Sequence, residues 1–172
     1  DLGGHVRDGG FRMIVLGVDP GASGALAVLR DGKITDLLDM PTGKITVGKT
    51  TRDRISPELL GAALRDLMPF DVAYIEEVAA MPKQGVSSVF TFGQAHGLIL
   101  GAVAALGVRT VRIRPQAWQK LVSARGDPRV RALELYPALV PELKRKKDEG
   151  RADAVLIAHA GSLAVALLAG GV

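Results

Sequence analysis

Apolar residues fall in short blocks along this chain, and their period changes from block to block. Residues 13–19, MIVLGVD, are apolar up to a terminal aspartate, where Asp19, Pro20 and Gly21 stop them. A continuous apolar run of this length, bounded by turn residues, predicts a buried strand. The stretch SGALAVLRDGKITDLLDMP predicts two further strands with Asp31-Gly32 at the hairpin turn. Residues 41–55 are polar, contain Gly43 and Gly48 and show no apolar period, so a loop is expected there. Ser56-Pro57-Glu58 opens a helix with proline in its first turn. Leu59, Leu60, Ala63, Leu64 and Leu67 give that helix an apolar stripe to about Met68. DVAYIE, residues 71–76, predicts a short buried strand, and MPKQGVSS a loop. A long helix is expected from 87 to about 106, then a strand over 108–113. Short helical pieces follow around 115–122 and 128–136, and a final helix runs from near 150 to about 168. The order β-β-β-α-β-α-β-α-α implies an α/β fold: three antiparallel strands, then strands alternating with helices on both faces of a mixed sheet.

Within the long helix Gly93, Gly97 and Gly101 recur every four residues. Each glycine costs about 1 kcal/mol of helix propensity relative to alanine. Three in register predict a face that another backbone approaches. Packing within the fold is the first expectation, and a dimer contact the second.

A chain of 172 residues is long enough for one domain with a real core. Residues 1–12, DLGGHVRDGGFR, are polar and glycine-rich and read as a flexible extension or cloning remnant ahead of a single domain over 13–172. Cysteine is absent, which excludes disulfides, zinc-thiolate sites and thiol nucleophiles together. The last 19 residues, Ala154 to Val172, carry no formal charge and reach the length of a bilayer span. His159, Ser162 and several glycines dilute that segment, so a buried helix against a sheet is the better reading, with no membrane partner. The chain is read as cytoplasmic, in a bacterial or phage-infected cell.

Four acids end or head apolar runs: Asp19, Glu76, and the pair Asp148 and Asp153. A carboxylate beside a buried segment is costly to desolvate unless something pairs with it. Three such places in one chain suggest that the acids share a partner. Hard oxygen donors, with only three histidines and no cysteine, point to Mg²⁺ or Mn²⁺. The net charge of +4 and a pI near 9.6 put that acidic pocket in a basic surface, as an enzyme that cuts nucleic acid requires.

The segments GVDPGASGALAVL, YIEEV, FGQAHGLILGAVAALG, RPQAWQK and LKRKKDEGRADAVLIA, in that order, resemble the RuvC-like Holliday junction resolvases, and the last is similar to the phage-type and chloroplast-type branches. The likeness runs from about Met13 to Ala160. It implies a ribonuclease H-like fold, a homodimer acting on four-way DNA junctions rather than small molecules, and two Mg²⁺ ions per active site, with Mn²⁺ able to substitute. By this resemblance Asp19 matches the first-strand aspartate that bridges both metals. Glu76 matches the glutamate at the end of a later strand, with Glu77 in the place usually held by Gln and turned to the other face by strand alternation. Asp153 matches the final aspartate in a D-A-x-x-I-A context. Bacterial members carry a further acid or histidine three residues before that aspartate, where this chain has Gly150. The chloroplast-like branch has an aspartate five before, which Asp148 fits. Five residues do not share a helix face, so Asp148 would sit in the loop or cap ahead of the helix, and Glu149 is its substitute.

The chemistry accounts for these residue types, because two ions about 4 Å apart activate water and stabilise the leaving oxygen in an in-line displacement. Lys120, in RPQAWQK, matches a lysine near the scissile phosphate. It either stabilises the transition state or is a solvated helix lysine. Lys144, Arg145, Lys146 and Lys147 are read as phosphate contacts beside the metal acids or as a solvated face, and Lys83 and Arg114 as further DNA contacts. Trp118 reads as a core anchor, and His96 and His159 as packing histidines. The family inserts an aromatic wedge just after the strand-end glutamate. Ala79 and Ala80 stand there, leaving Met81, Phe90 or Phe92 as replacements. The resulting expectation is a metal-dependent endonuclease that nicks junctions symmetrically. Its rivals are a ribonuclease H-like nuclease acting on RNA–DNA hybrids or flaps, a junction binder without catalysis, and an actin-like ATP-binding domain, for which 172 residues leave no second lobe.

Overall fold

The computed structural model describes residues 13–77 and 85–169. Seven strands and five α-helices follow one another: β1 (Val15–Asp19), β2 (Ala25–Arg30), β3 (Lys33–Asp39), β4 (Thr42–Val47), β5 (Thr50–Ile55), α1 (Pro57–Leu67), β6 (Val72–Glu76), α2 (Val86–Ala105), β7 (Arg109–Ile113), α3 (Pro115–Leu121), α4 (Pro128–Leu135) and α5 (Glu149–Ala169). A 3₁₀ turn, Lys146–Asp148, leads into α5. The main sheet has the order β3-β2-β1-β6-β7. Strands β1, β2 and β3 pair antiparallel, while β6 and β7 run parallel to β1. This is the mixed α/β sheet, with helices on both faces, that the order of elements implies, in the ribonuclease H-like arrangement that the resemblance implies.

Strand alternation divides the core in two. Val15, Ala25, Ala27, Leu29, Val72 and Tyr74 point to one face, where they meet Trp118 and the buried run of α5 from Ala152 to Ala160. Leu16, Val18, Leu26, Val28, Ala73 and Ile75 point to the other, against Leu60, Leu64 and Leu67 of α1 and Ile99 and Val103 of α2. The continuous apolar runs of β1 and β2 follow from burial on both sides. Helix α5 lies very close on β1. A Cβ at Gly17 would overlap the carbonyl oxygen of Ala154 and the backbone of Ala158, so only glycine admits this approach.

The Asp31-Gly32 turn forms as expected, with φ of 51° and 74°. The loop expected over 41–55 does not. Those residues form the hairpin β4–β5, closed by Gly48 at φ 61°. Lys44 pairs with Asp53 and Thr46 with Thr51 across it. The hairpin is polar on both faces, so it has no apolar period to read, although its threonines and isoleucines favour strands.

Both α2 and the segment Lys146–Leu168 are long and apolar enough to cross a bilayer. The second forms the centre of one core layer, with Ala154 to Ala158 fully buried. Helix α2 differs, since Val86, Phe90 and Phe92 are exposed. Gly93, Gly97 and Gly101 have nothing within 4 Å of an added Cβ, so the expected close backbone is not found among the described residues.

Candidate active site

Strand register brings the acids to one edge of the sheet. Asp19 is the last residue of β1 and Glu76 the last of β6, and these strands lie side by side and parallel. Asp153 is one turn into α5, which crosses that edge. All three are partly buried. Burial, then the negative charges of Asp153 and Glu76, push the Asp19 carboxyl up to about 8. Burial, then Glu76, Glu149 and Asp127, push Asp153 up to about 7. Burial also raises Glu76, opposed by a hydrogen bond from Trp118. Asp19 and Asp153 therefore sit among like charges at this edge, with no basic side chain paired to either among the described residues. Among the described residues no three His, Cys, Asp or Glu side chains are gathered tightly enough to enclose one ion as they stand.

Asp148 and Glu149 are adjacent but differently employed. Asp148 closes the 3₁₀ turn and is only 3 % exposed. It accepts from the Arg145 backbone N–H at 2.8 Å and from the Arg145 Nη2 at 2.8 Å, and these bonds hold its carboxyl below the usual range. Arg151 lies close to it and clamps Asp39 through Nε and Nη2. Glu149 is four residues before Asp153, on the same face of α5, and its charge acts on Asp153. Glu149 thus shares a helix face with Asp153, while Asp148 is engaged by Arg145 ahead of the helix.

Gly150, three residues before Asp153, is explained by contact. A Cβ there would overlap the Ser23 carbonyl oxygen and lie 3.0 Å from Asp19 Oδ2. The head of α5 sits directly on the turn after β1, and this leaves no room for a side chain.

Trp118 is buried as expected, at 2 % exposure, but it also donates Nε1–H to Glu76 Oε1 at 2.8 Å. Sequence reasoning gave it packing alone. A buried indole needs an acceptor for its N–H, and that requirement was the available signal. Lys120 is exposed in the last turn of α3, two residues on and so turned away from the indole direction. Glu77 turns to Arg114, 3.4 Å away. Lys144, Lys146 and Lys147 are exposed, while Arg145 is occupied with Asp148. Lys83, Ala79, Ala80 and Met81 lie outside the described residues. His159 Nδ1 meets the Tyr136 hydroxyl at 2.7 Å, a packing role. His96 Nδ1 has no hydrogen-bond partner among the described residues.

A parallel-stranded edge carrying clustered carboxylates, on a ribonuclease H-like sheet, defines a class of nucleases. No protein-family model matches the chain. It is 30 % identical over 155 residues to the crossover junction endodeoxyribonuclease RuvC of Chloroflexus aggregans, covering 86 % of this chain and 93 % of that protein. Thermus thermophilus RuvC in complex with a Holliday junction substrate superposes with a TM-score of 0.62 at 17 % identity, over 90 % of this chain and 96 % of that one. A second Thermus thermophilus RuvC structure gives 0.56 at 16 % identity, with the same coverage. The chain belongs to the RuvC family of nucleases.

Proposed function

We propose that this chain is a metal-dependent, structure-selective endonuclease that cuts four-way DNA junctions by paired nicks, as a homodimer built from the single domain over 13–172. The observation that carries the reading is the trio Asp19, Glu76 and Asp153: partly buried carboxylates at one sheet edge, where burial raises all three and the neighbouring acids raise Asp19 and Asp153 further. Hard oxygen donors with uncompensated charge suit Mg²⁺ or Mn²⁺, and closing round the ions is the adjustment they need. Two such ions, when bound, supply an activated water and a stabilised leaving oxygen.

The chain's own residues divide the remaining work. Asp19, Glu76 and Asp153 hold the metal, with Glu149 as the fourth acid. Asp148, engaged by Arg145, secures the turn that sets the start of α5. Trp118 fixes the orientation of Glu76. Lys120 stabilises developing charge on the phosphate. Lys144, Lys146 and Lys147, with Arg114 and Lys83, contact phosphates either side of the cut, without reading bases. The exposed glycine stripe of α2, with Phe90 beside it, supplies the contact with the second copy, and a two-fold axis then places two sites for symmetric nicks. Phe92, also exposed, is the candidate wedge on the same helix. A cytoplasmic location and no membrane role complete the proposal.

The test is incubation of a labelled four-way junction with and without Mg²⁺, beside flap DNA and an RNA–DNA hybrid. Paired nicks on the junction alone are expected. Preferential cutting of the hybrid or flap would favour the other ribonuclease H-like reading. Tight binding without cutting in Mg²⁺ or Mn²⁺ would mark a binder without catalysis.

A further inference from the structure

The hairpin β4–β5 has two unlike faces. On one, Lys44 and Asp53 form an ion pair at 3.1 Å and Thr46 meets Thr51 at 3.0 Å, so its polar groups satisfy each other. On the other, Ile45 stands opposite Arg52, with Arg54 two residues on. This second face lines a groove with Thr50 and with Ser87 from the first turn of α2. Arg54 Nη2 donates to Thr91 Oγ1 at 3.1 Å and ties the hairpin to α2. No carboxylate lines the groove, and none pairs with Arg52 or Arg54 among the described residues. Ser87 adds a hydroxyl there, in a helix turn that contains no acid.

The hairpin that carries the groove is rooted at the edge holding Asp19. Asp19 of β1 pairs with Ala25 of β2, and Ala25 with Asp39 at the end of β3. The chain enters the hairpin immediately after that rung, where Met40 N–H bonds to the Gly24 carbonyl at 2.9 Å. It leaves through Ser56 N–H to the Pro41 carbonyl at 3.0 Å. The root of the hairpin therefore sits at the Asp19 edge.

We propose that this groove binds the phosphodiester backbone of a DNA strand passing the carboxylate edge. The inference rests on the nuclease reading and adds a binding element to it. A guanidinium presents a planar fork of donors that matches a phosphate, and Arg52 is exposed and free to do so. Thr50 and Ser87 offer hydroxyl donors beside it. Ile45, half exposed, offers an apolar contact for a sugar. A contact made to phosphate and sugar carries no sequence information, so it is expected to be independent of sequence.

The experiment measures binding of a four-way junction in Ca²⁺ across a series of salt concentrations, and single-turnover cleavage in Mg²⁺. The proteins are wild type, Arg52→Ala, Arg52→Glu, Thr50→Glu and, as the opposite-face control, Thr46→Ala. Arg52→Ala is expected to weaken binding about three- to tenfold and reduce the slope of log affinity against log salt by about 1, for junctions of any sequence. Arg52→Glu and Thr50→Glu should weaken it further, and Thr46→Ala should match wild type. Far-UV circular dichroism confirms that each variant is folded. Wild-type affinity and slope in both Arg52→Glu and Thr50→Glu would overturn the groove while leaving the nuclease reading intact. A fall in affinity confined to certain junction sequences would also overturn it. If the wild-type protein neither binds nor cuts any DNA, the nuclease reading fails and takes the groove with it.

Discussion

Two groups of carboxylates meet at the head of α5, and the fold treats them in opposite ways. Asp148 and Asp39 each have a guanidinium within hydrogen-bond reach, from Arg145 and Arg151, and both carboxyls are held below their ordinary range. Asp19 and Asp153 have no basic partner among the described residues, so burial and then the neighbouring acids push them up to about 8 and about 7. Two of these residues, Asp148 and Asp153, are separated by barely more than one helical turn. The paired group behaves as structure: its charges are already satisfied. The unpaired group is maintained at a cost in stability, which accords with the metal-holding role proposed for it.

The largest expected effect breaks the unpaired group. Asp19→Asn should abolish junction cleavage and, in EDTA at pH 8, raise the melting temperature by a few degrees. The sign follows from the raised carboxyl. Below the unfolded value near 4 the acid is protonated in both states and costs nothing. As pH rises toward 8, ionisation of the unfolded chain progressively favours unfolding. Metal-free wild type should therefore lose stability across this window, and the variant should lose less. A melting temperature for Asp19→Asn below wild type at pH 8 would contradict the picture of an unpaired site.

Trp118 connects packing to that group. Trp118→Ala should cost about 3–5 kcal/mol in denaturant unfolding, the usual loss for a buried aromatic. Trp118→Phe keeps much of the packing but removes the donor to Glu76, so it should slow cleavage and weaken Mn²⁺ binding in calorimetry. Because Trp118 is the only tryptophan, its fluorescence should change when Mn²⁺ or Mg²⁺ is titrated into the wild type and change less in Glu76→Gln. Equal metal affinity in wild type and Trp118→Phe would reduce Trp118 to packing.

The comparison sharpens at the neighbours Asp148 and Glu149. Glu149→Gln should slow cleavage strongly with little change in stability. Asp148→Asn should lower stability by about 1–2 kcal/mol, the cost of weakening buried charge-assisted bonds, and leave most of the cleavage rate. That stability difference should be present near neutral pH and fade as pH falls through the lowered Asp148 value, where the wild-type carboxyl takes up its proton. The reverse ranking in cleavage would return the fourth acid to Asp148.

The smallest expected change is at Lys120. Lys120→Ala should leave the melting temperature unchanged and slow single-turnover cleavage on a saturating junction, a loss confined to the transition state. A wild-type rate would make it an ordinary surface lysine.

Local pattern carried much of this molecule. The starts of α1, α3 and α4 follow from prolines in their first turns, the buried face of α1 from its apolar period, and the Asp31-Gly32 hairpin from turn chemistry, because each depends on residues close in the chain. Asp19, Glu76 and Asp153 were legible as acids placed against apolar runs, and family resemblance assigned them a shared site. The hairpin β4–β5 was not legible, since pairing between two polar strands leaves no apolar signal. Nor was the open glycine face of α2: a glycine repeat announces close approach without saying whether the partner lies inside the same chain. Only the tertiary structure showed that Asp148 is engaged by an arginine three residues away while Glu149 shares a helix face with Asp153. Only it showed why Gly150 cannot carry a side chain and where the Trp118 N–H goes. Such choices depend on which groups from distant segments share a few ångströms of partly buried space, and that is set by strand register and helix packing rather than by any local run of residues.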